Sequence, residues 1–213
     1  MSISLKLVQS VDEIENSILS AIASEFNALM KSNKSKILSE IKLLIPSWLF
    51  SQPEIQSLSS NDSTSLVGQF GITTDSSSII NAIISSVVNS CSISIIPYDK
   101  KLKSGGVEIN IQPDDFSNLL SLPEGHSVYL GGDLHWLDWL LNRGDEVIVV
   151  GYQYNPQTGL GRSNLGNMKS GGSFRVPPEF SGTKENNFIT RAMTGLEQEK
   201  QVSKIFEKIL GVR

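Results

Sequence analysis

Asp133, His135 and Asp138 lie close together in the stretch GDLHWLDWLL, two carboxylates beside an imidazole. Such a set could ligate a metal or take and return a proton. Helical spacing argues against convergence, because residues two apart on a helix point about 200° away from each other. Asp133 and His135 then read as an N-capping aspartate and an exposed helical histidine. His126, the other histidine, and Cys91, the lone cysteine, complete neither a zinc signature nor a Cys-His nucleophile pair. No serine sits in a G-x-S-x-G elbow. GLGRSNLGNMKSGGS, residues 159–173, fits neither dinucleotide nor P-loop spacing and reads as a flexible loop. The sequence therefore points to no catalytic residue, no cofactor and no metal.

The elements that would position these residues follow from periodicity. Val11, Ile14, Ile18, Ile22, Phe26 and Leu29 form an apolar stripe that predicts a helix over 11–31 with that stripe inward. A second helix is expected from Ser35 to Ile45, with Ile37, Ile41 and Leu44 inward and Pro46 as its stop. A brief helix follows from Pro53, and SSNDSTS reads as a surface loop. Asp75 is a good N-cap for a helix that buries Ile79, Ile80, Ile83, Ile84, Val87 and Val88. CSISII and GVEINIQ alternate around a polar link and predict a hairpin. A short helix opens at Asp114 and Asp115 and runs to Leu122, and HSVYL is a candidate strand. A compact helix starts at Asp133 and stops at Gly144. DEVIVVGYQY is apolar enough for a central strand. A long loop over 155–172 and a short edge strand in SFRVP come next, before a closing helix from Leu196 to Leu210. The class is α+β, a small and mainly antiparallel sheet flanked by helices. One domain is expected over 1–213, with a helical N-terminal part over 1–60 and an α+β part over 75–213.

The chain has 213 residues and a net charge of −4, with 19% charged and 7% aromatic residues. That length supports a substantial core. Without a basic block, strong nonspecific nucleic-acid binding is not expected. The N-terminus lacks the apolar run of a signal peptide, and no segment reaches the roughly 18 apolar residues of a membrane span. Trp136 and Trp139, with Leu137, Leu140 and Leu141, ring their helix with apolar side chains. Core burial suits one tryptophan and a subunit contact the other.

HWLDWLLNRGDEVIVVGYQY, then GRSNLGNM, then GSFRVPPEFSGTKENNFITRAM together resemble a family of tailed-bacteriophage neck or tail-completion proteins, and IPSWLFSQPEIQSL and VGQFGI also fit. The likeness runs from about residue 35 to the end and is densest over 133–193. The chain departs from the family's Arg-Ser-Arg-Thr-Gly loop, having Arg162, Ser163, Asn164, Leu165 and Gly166 instead, so a role for the second arginine does not carry over. The resemblance implies a structural virion subunit, made in the bacterial host cytoplasm, without catalysis or cofactor and away from membranes. It implies a homo-oligomeric ring, a hexamer or alternatively a dodecamer, joining head to tail beside other neck and tail proteins. DNA would only pass through its channel. Phe174, Phe180 and Phe188 on a proline-stiffened arm, with Trp139, Arg162, Arg175 and Arg191, are the expected intersubunit contacts. The alternatives are a small phage or host hydrolase and a monomeric binding module.

Overall fold

The computed structural model describes residues 8–129, 131–157 and 161–211. The chain is α+β. It opens with α1 (Val11–Phe50), one helix of 40 residues and about 60 Å. Ser10 starts it with a capping box: its side chain accepts from the Glu13 N–H while the Glu13 carboxylate accepts from the Ser10 N–H at 2.8 Å. The two helices expected here are therefore continuous. Pro46 lies inside α1, where it removes one backbone bond in the final turns. Burial of Ile45, Trp48 and Leu49 on either side of it holds those turns in place.

α2 (Pro53–Ser59), α3 (Leu66–Phe70) and α4 (Ser76–Ser90) follow, α4 capped by Asp75 as expected. Then come the hairpin of β1 (Ser92–Ile96) and β2 (Gly106–Asn110), α5 (Ser117–Leu120), and the small hairpin of β3 (Ser127–Tyr129) and β4 (Gly132–Leu134). α5 is shorter than the helix expected from Asp114, because Phe116 takes a left-handed φ of 53° just before it. α6 (Trp136–Leu141) begins after His135, so Asp133 belongs to β4 and caps nothing. β5 (Val147–Asn155) and β6 (Asn167–Arg175) form the longest hairpin, and α7 (Phe188–Met193) and α8 (Leu196–Leu210) close the described chain.

Among the described residues the strands form three separate two-stranded antiparallel sheets. β5 is accordingly no central strand: it has a single partner, β6. The loop expected over 155–172 is shorter, since strand pairing resumes at Asn167, and residues 158–160 lie outside the described residues. Only Ser173, Phe174 and Arg175 of the expected SFRVP strand are strand, as the end of β6.

One buried cluster runs from Ile37, Ile41 and Ile45 through Phe70, Ile79, Ile83 and Trp136 to Phe188 and Ile205. α1 meets α4, α7, α8 and β1. α8 runs antiparallel to it, with Trp48 Nε1 donating to Gln201 at 2.8 Å and Lys208 lying 3.9 Å from Glu40. The outward half of α1 is buried along Ala23 and Met30, where Phe26 packs edge-on to Tyr98 and Asn27 bonds the Tyr98 backbone. This face is adjacent to the stripe expected inside. Val11, Ile18 and Ile22 remain 72%, 54% and 48% exposed.

The proline-rich segment after β6 packs on its own chain. Phe174 and Phe188 are buried and Phe180 is half-buried against the core. Asn187 explains why: it caps α7, and its Nδ2 donates to Leu141 O at the end of α6 and to Thr183 O. Gly144 N–H donates to Gly182 O at 2.8 Å beside it. The segment from Phe174 to Phe188, expected as an intersubunit arm, is thus a strap anchored on its own chain by the buried Phe174, Val176, Gly182, Asn187 and Phe188, with Pro178, Glu179 and residues 183–186 exposed between the anchors.

Arg191, also expected at an interface, is held by the fully buried carboxylate of Glu54. Burial pushes the Glu54 carboxyl above its ordinary value, against the opposing pull of Arg191. A raised carboxyl contributes stability at low pH that is lost as pH climbs through the raised value. Arg191→Ala should cost roughly 3 kcal/mol at neutral pH by leaving that carboxylate alone. The cost should shrink as pH falls and Glu54 takes a proton, and Glu54→Gln should recover much of it. Urea melts of both variants between pH 5 and 8 check this; a cost independent of pH contradicts it.

Candidate functional site

A concavity of about 790 Å³ lies between one face of the β5–β6 hairpin and the body formed by α3, α6 and the β3–β4 hairpin. Ile148, Val149, Tyr152, Met168 and Phe174 line the hairpin side, and Trp139, Leu134 and Tyr129 the body side. Two register irregularities, at Val147/Val149 and Val150/Tyr152, curl β5 and set which side chains face inward. The hairpin is pinned at its far end by Tyr154, whose hydroxyl donates to Ser63 O at 2.8 Å. Gly68 allows this approach, since a Cβ there would stand 2.5 Å from the Tyr154 Oη. Gly166 is buried against the same ring and could not carry a Cβ either.

Arg162 stands on the rim. Its guanidinium lies 4.5 Å from the Tyr129 ring centroid and reaches the Phe70 and Val128 carbonyls at 3.4 Å. Among the described residues it has no carboxylate within ion-pair distance. Arg143 is already paired, donating to Asp138 at 2.7 Å and lying 5.8 Å from the Trp139 ring centroid. Burial works against the charge on Asp138, yet hydrogen bonds from Asn142 and Arg143 hold its carboxyl below the ordinary value.

The histidines are not isolated. The Ser127–Leu134 pairing of β3 and β4 brings the flanking residues 126 and 135 side by side. Their rings stack at 4.0 Å and 12°, and His126 Nδ1 meets Asp133 Oδ2 at 2.8 Å. His135 Nε2 is buried without a hydrogen-bond partner. Burial, then the neighbouring His126, pushes the His135 pKa below its ordinary value. The site has acid–base groups at the edge of an apolar groove, but no cluster of three or more His, Cys, Asp or Glu residues that could hold a metal occurs among the described residues. No helix among them is long and apolar enough to cross a membrane.

Comparison with known protein families, with curated proteins and with solved structures finds no match to this chain. The groove therefore stands on its own geometry. Of the residues expected at an interface, Trp139, Arg162 and Phe174 line it, while Phe180, Phe188 and Arg191 are used elsewhere in the fold. Arg175 is exposed and lies 3.7 Å from Asp145. The sequence reading missed Tyr129, Tyr152 and Met168. The repeat of His around Gly131 and Gly132 in HSVYLGGDLH is the hairpin signal that could have found the histidine stack.

A histidine with a lowered folded pKa stabilises the protein above its ordinary pKa of about 6.5, and that contribution is lost as pH falls through the window below it. The His135 contribution should therefore fall away as pH drops below about 6.5, so stability as a function of pH should be flatter on that side in His135→Phe than in the unaltered protein. Thermal melts across the range check this; an identical slope in the variant contradicts it.

Proposed function

We propose that this protein is a structural subunit of a homo-oligomeric ring in the neck or tail-completion region of a tailed-bacteriophage particle. The ring joins head to tail and lets DNA pass. The observation that carries the reading is a pair of uncovered apolar surfaces on unrelated elements. One is the Val11, Ile18 and Ile22 stripe of α1; the other is the groove face of the β5–β6 hairpin with neighbouring Val128 and Tyr129. Contiguous apolar surface of this kind marks an interaction site. Two unlike patches on one chain suit head-to-tail contact, which closes into a ring when the rotation allows. The sequence resemblance to neck and tail-completion proteins supplies the setting: a subunit made in the host cytoplasm and carried in the virion, six copies or alternatively twelve, flanked by other neck and tail proteins.

The net charge of −4 suits a channel that does not hold DNA by its phosphates. A second reading, a small hydrolase, is favoured by the His126–Asp133 pair and the stacked His135 at the groove edge.

Native mass measurement and negative-stain imaging of the purified protein test the proposal, with His126→Ala and His135→Ala alongside. Closed rings formed equally by all three proteins are expected. A monomer at every concentration contradicts the ring, and a hydrolytic activity lost in either variant with folding intact selects the second reading.

A further inference from the structure

We infer that the ring contact is made by the outward half of α1 of one copy seated in the β5–β6 groove of the next. This rests on the ring reading and names its interface. The occupant is argued from charge and geometry on the same chain. Residues 8–30 carry Asp12, Glu13, Glu15 and Glu25 and no Lys or Arg, while residues 147–175 carry Arg162, Lys169 and Arg175 and no Asp or Glu. Arg175 already meets Asp145, so the charge complementarity is between the acidic, apolar-striped helix and a groove-bearing hairpin that offers Arg162 and Lys169.

A helix lays such a stripe into a groove through side chains three and four positions apart. Val11, Ile14, Ile18 and Ile22 have that spacing. The groove offers Val149, Tyr152, Met168 and Trp139 to receive them. Its two carboxylates, Asp133 and Asp138, are already engaged, Asp133 with His126 at 2.8 Å and Asp138 with Arg143 at 2.7 Å, whereas Arg162 on the rim has no carboxylate within ion-pair distance among the described residues. Asp12 and Glu15 lie on the first turns of α1, exposed and without partners among the described residues, and suit that role. Glu13 is committed to the capping box.

The occupant must come from another copy. α1 is a single rigid helix fixed along its second half by Ile37, Ile41, Ile45 and Leu49, all fully buried. It cannot fold back to bring Val11 to its own hairpin. A helix-to-groove contact uses a different surface on each side, so every subunit keeps one free helix and one free groove until the ring closes.

A disulfide trap tests the contact. Ile18→Cys and Met168→Cys in one chain should yield covalent oligomers on mild oxidation, up to a closed ring. Neither single variant should yield more than a trace, and mixing the two singles should yield covalent dimers only. Cys91 is buried, and its thiol is pushed above its ordinary value by burial, so it stays silent. Charge exchange provides the second arm. Arg162→Glu or Glu15→Arg alone should shift the assembly midpoint by about tenfold to higher concentration, and the two together should recover it to within about threefold. Oligomers in native mass spectra with no trapped species and no charge coupling would overturn this interface while leaving the ring. A monomer under all conditions would overturn both.

Discussion

The structure depends on the rigidity of α1. This helix runs unbroken for 40 residues. Its second half is enclosed by α4, α7 and α8, which bury Ile37, Ile41, Ile45 and Leu49 completely. Its first half has contact on one side only, at Ala23 and Met30 beside Tyr98. Because the backbone bonds run unbroken between the halves, the buried part fixes the direction of the exposed part. The Val11–Ile22 stripe is held out in water by packing that lies far along the chain. Fully burying an exposed Val or Ile is worth roughly 1.5–3 kcal/mol, and about half of that remains to be gained at Ile18 and Ile22, which are 54% and 48% exposed. That unrealised burial is what the proposed assembly would recover.

The groove arises from a second constraint, the way the β5–β6 hairpin is fastened at both ends. At the body end, Phe174 packs edge-on to Phe70, and Arg175 meets Asp145. At the far end the Tyr154 hydroxyl fits between Gly68 and Gly166 and bonds Ser63 O. Between these anchors the hairpin stands off from α6, which leaves the space lined by Tyr152, Met168 and Trp139. The strap from Val176 to Asn187 reinforces the body end, with Asn187 tying α6 to α7. The aromatic side chains of the proline-rich segment therefore anchor it to its own fold beside the groove.

Local chemistry made part of this legible in the sequence. The Asp75 cap, the β1–β2 hairpin, the burial of Trp136 and the span of α8 follow from neighbouring residues alone. Helical periodicity identified a real stripe in Val11, Ile14, Ile18 and Ile22, but periodicity gives a face and not its partner. Ala23, Met30 and Ile37 form the adjacent face, and only tertiary packing decides which of the two is inside. Pro46 misled because the burial of Trp48 and Leu49 outweighs one lost backbone bond. β5 reads as central by its apolar content, yet that content faces a groove and open water. The histidine stack needed a strand register that the HSVYLGGDLH hairpin supplies and that a helical reading of Asp133 obscured.

In the proposed ring, other copies of this chain cover both uncovered surfaces at once. Hydroxyl-radical footprinting of the unmodified protein over a range of concentrations measures this side chain by side chain. Oxidation of Tyr152, Met168 and Trp139 should fall together with that of Val11, Ile18 and Ile22, at one concentration midpoint that matches the appearance of rings. Val150 is 81% exposed and points away from the groove, so it should stay reactive throughout. Assembled protein in which the groove or the helix stripe keeps its dilute-solution reactivity would contradict the account.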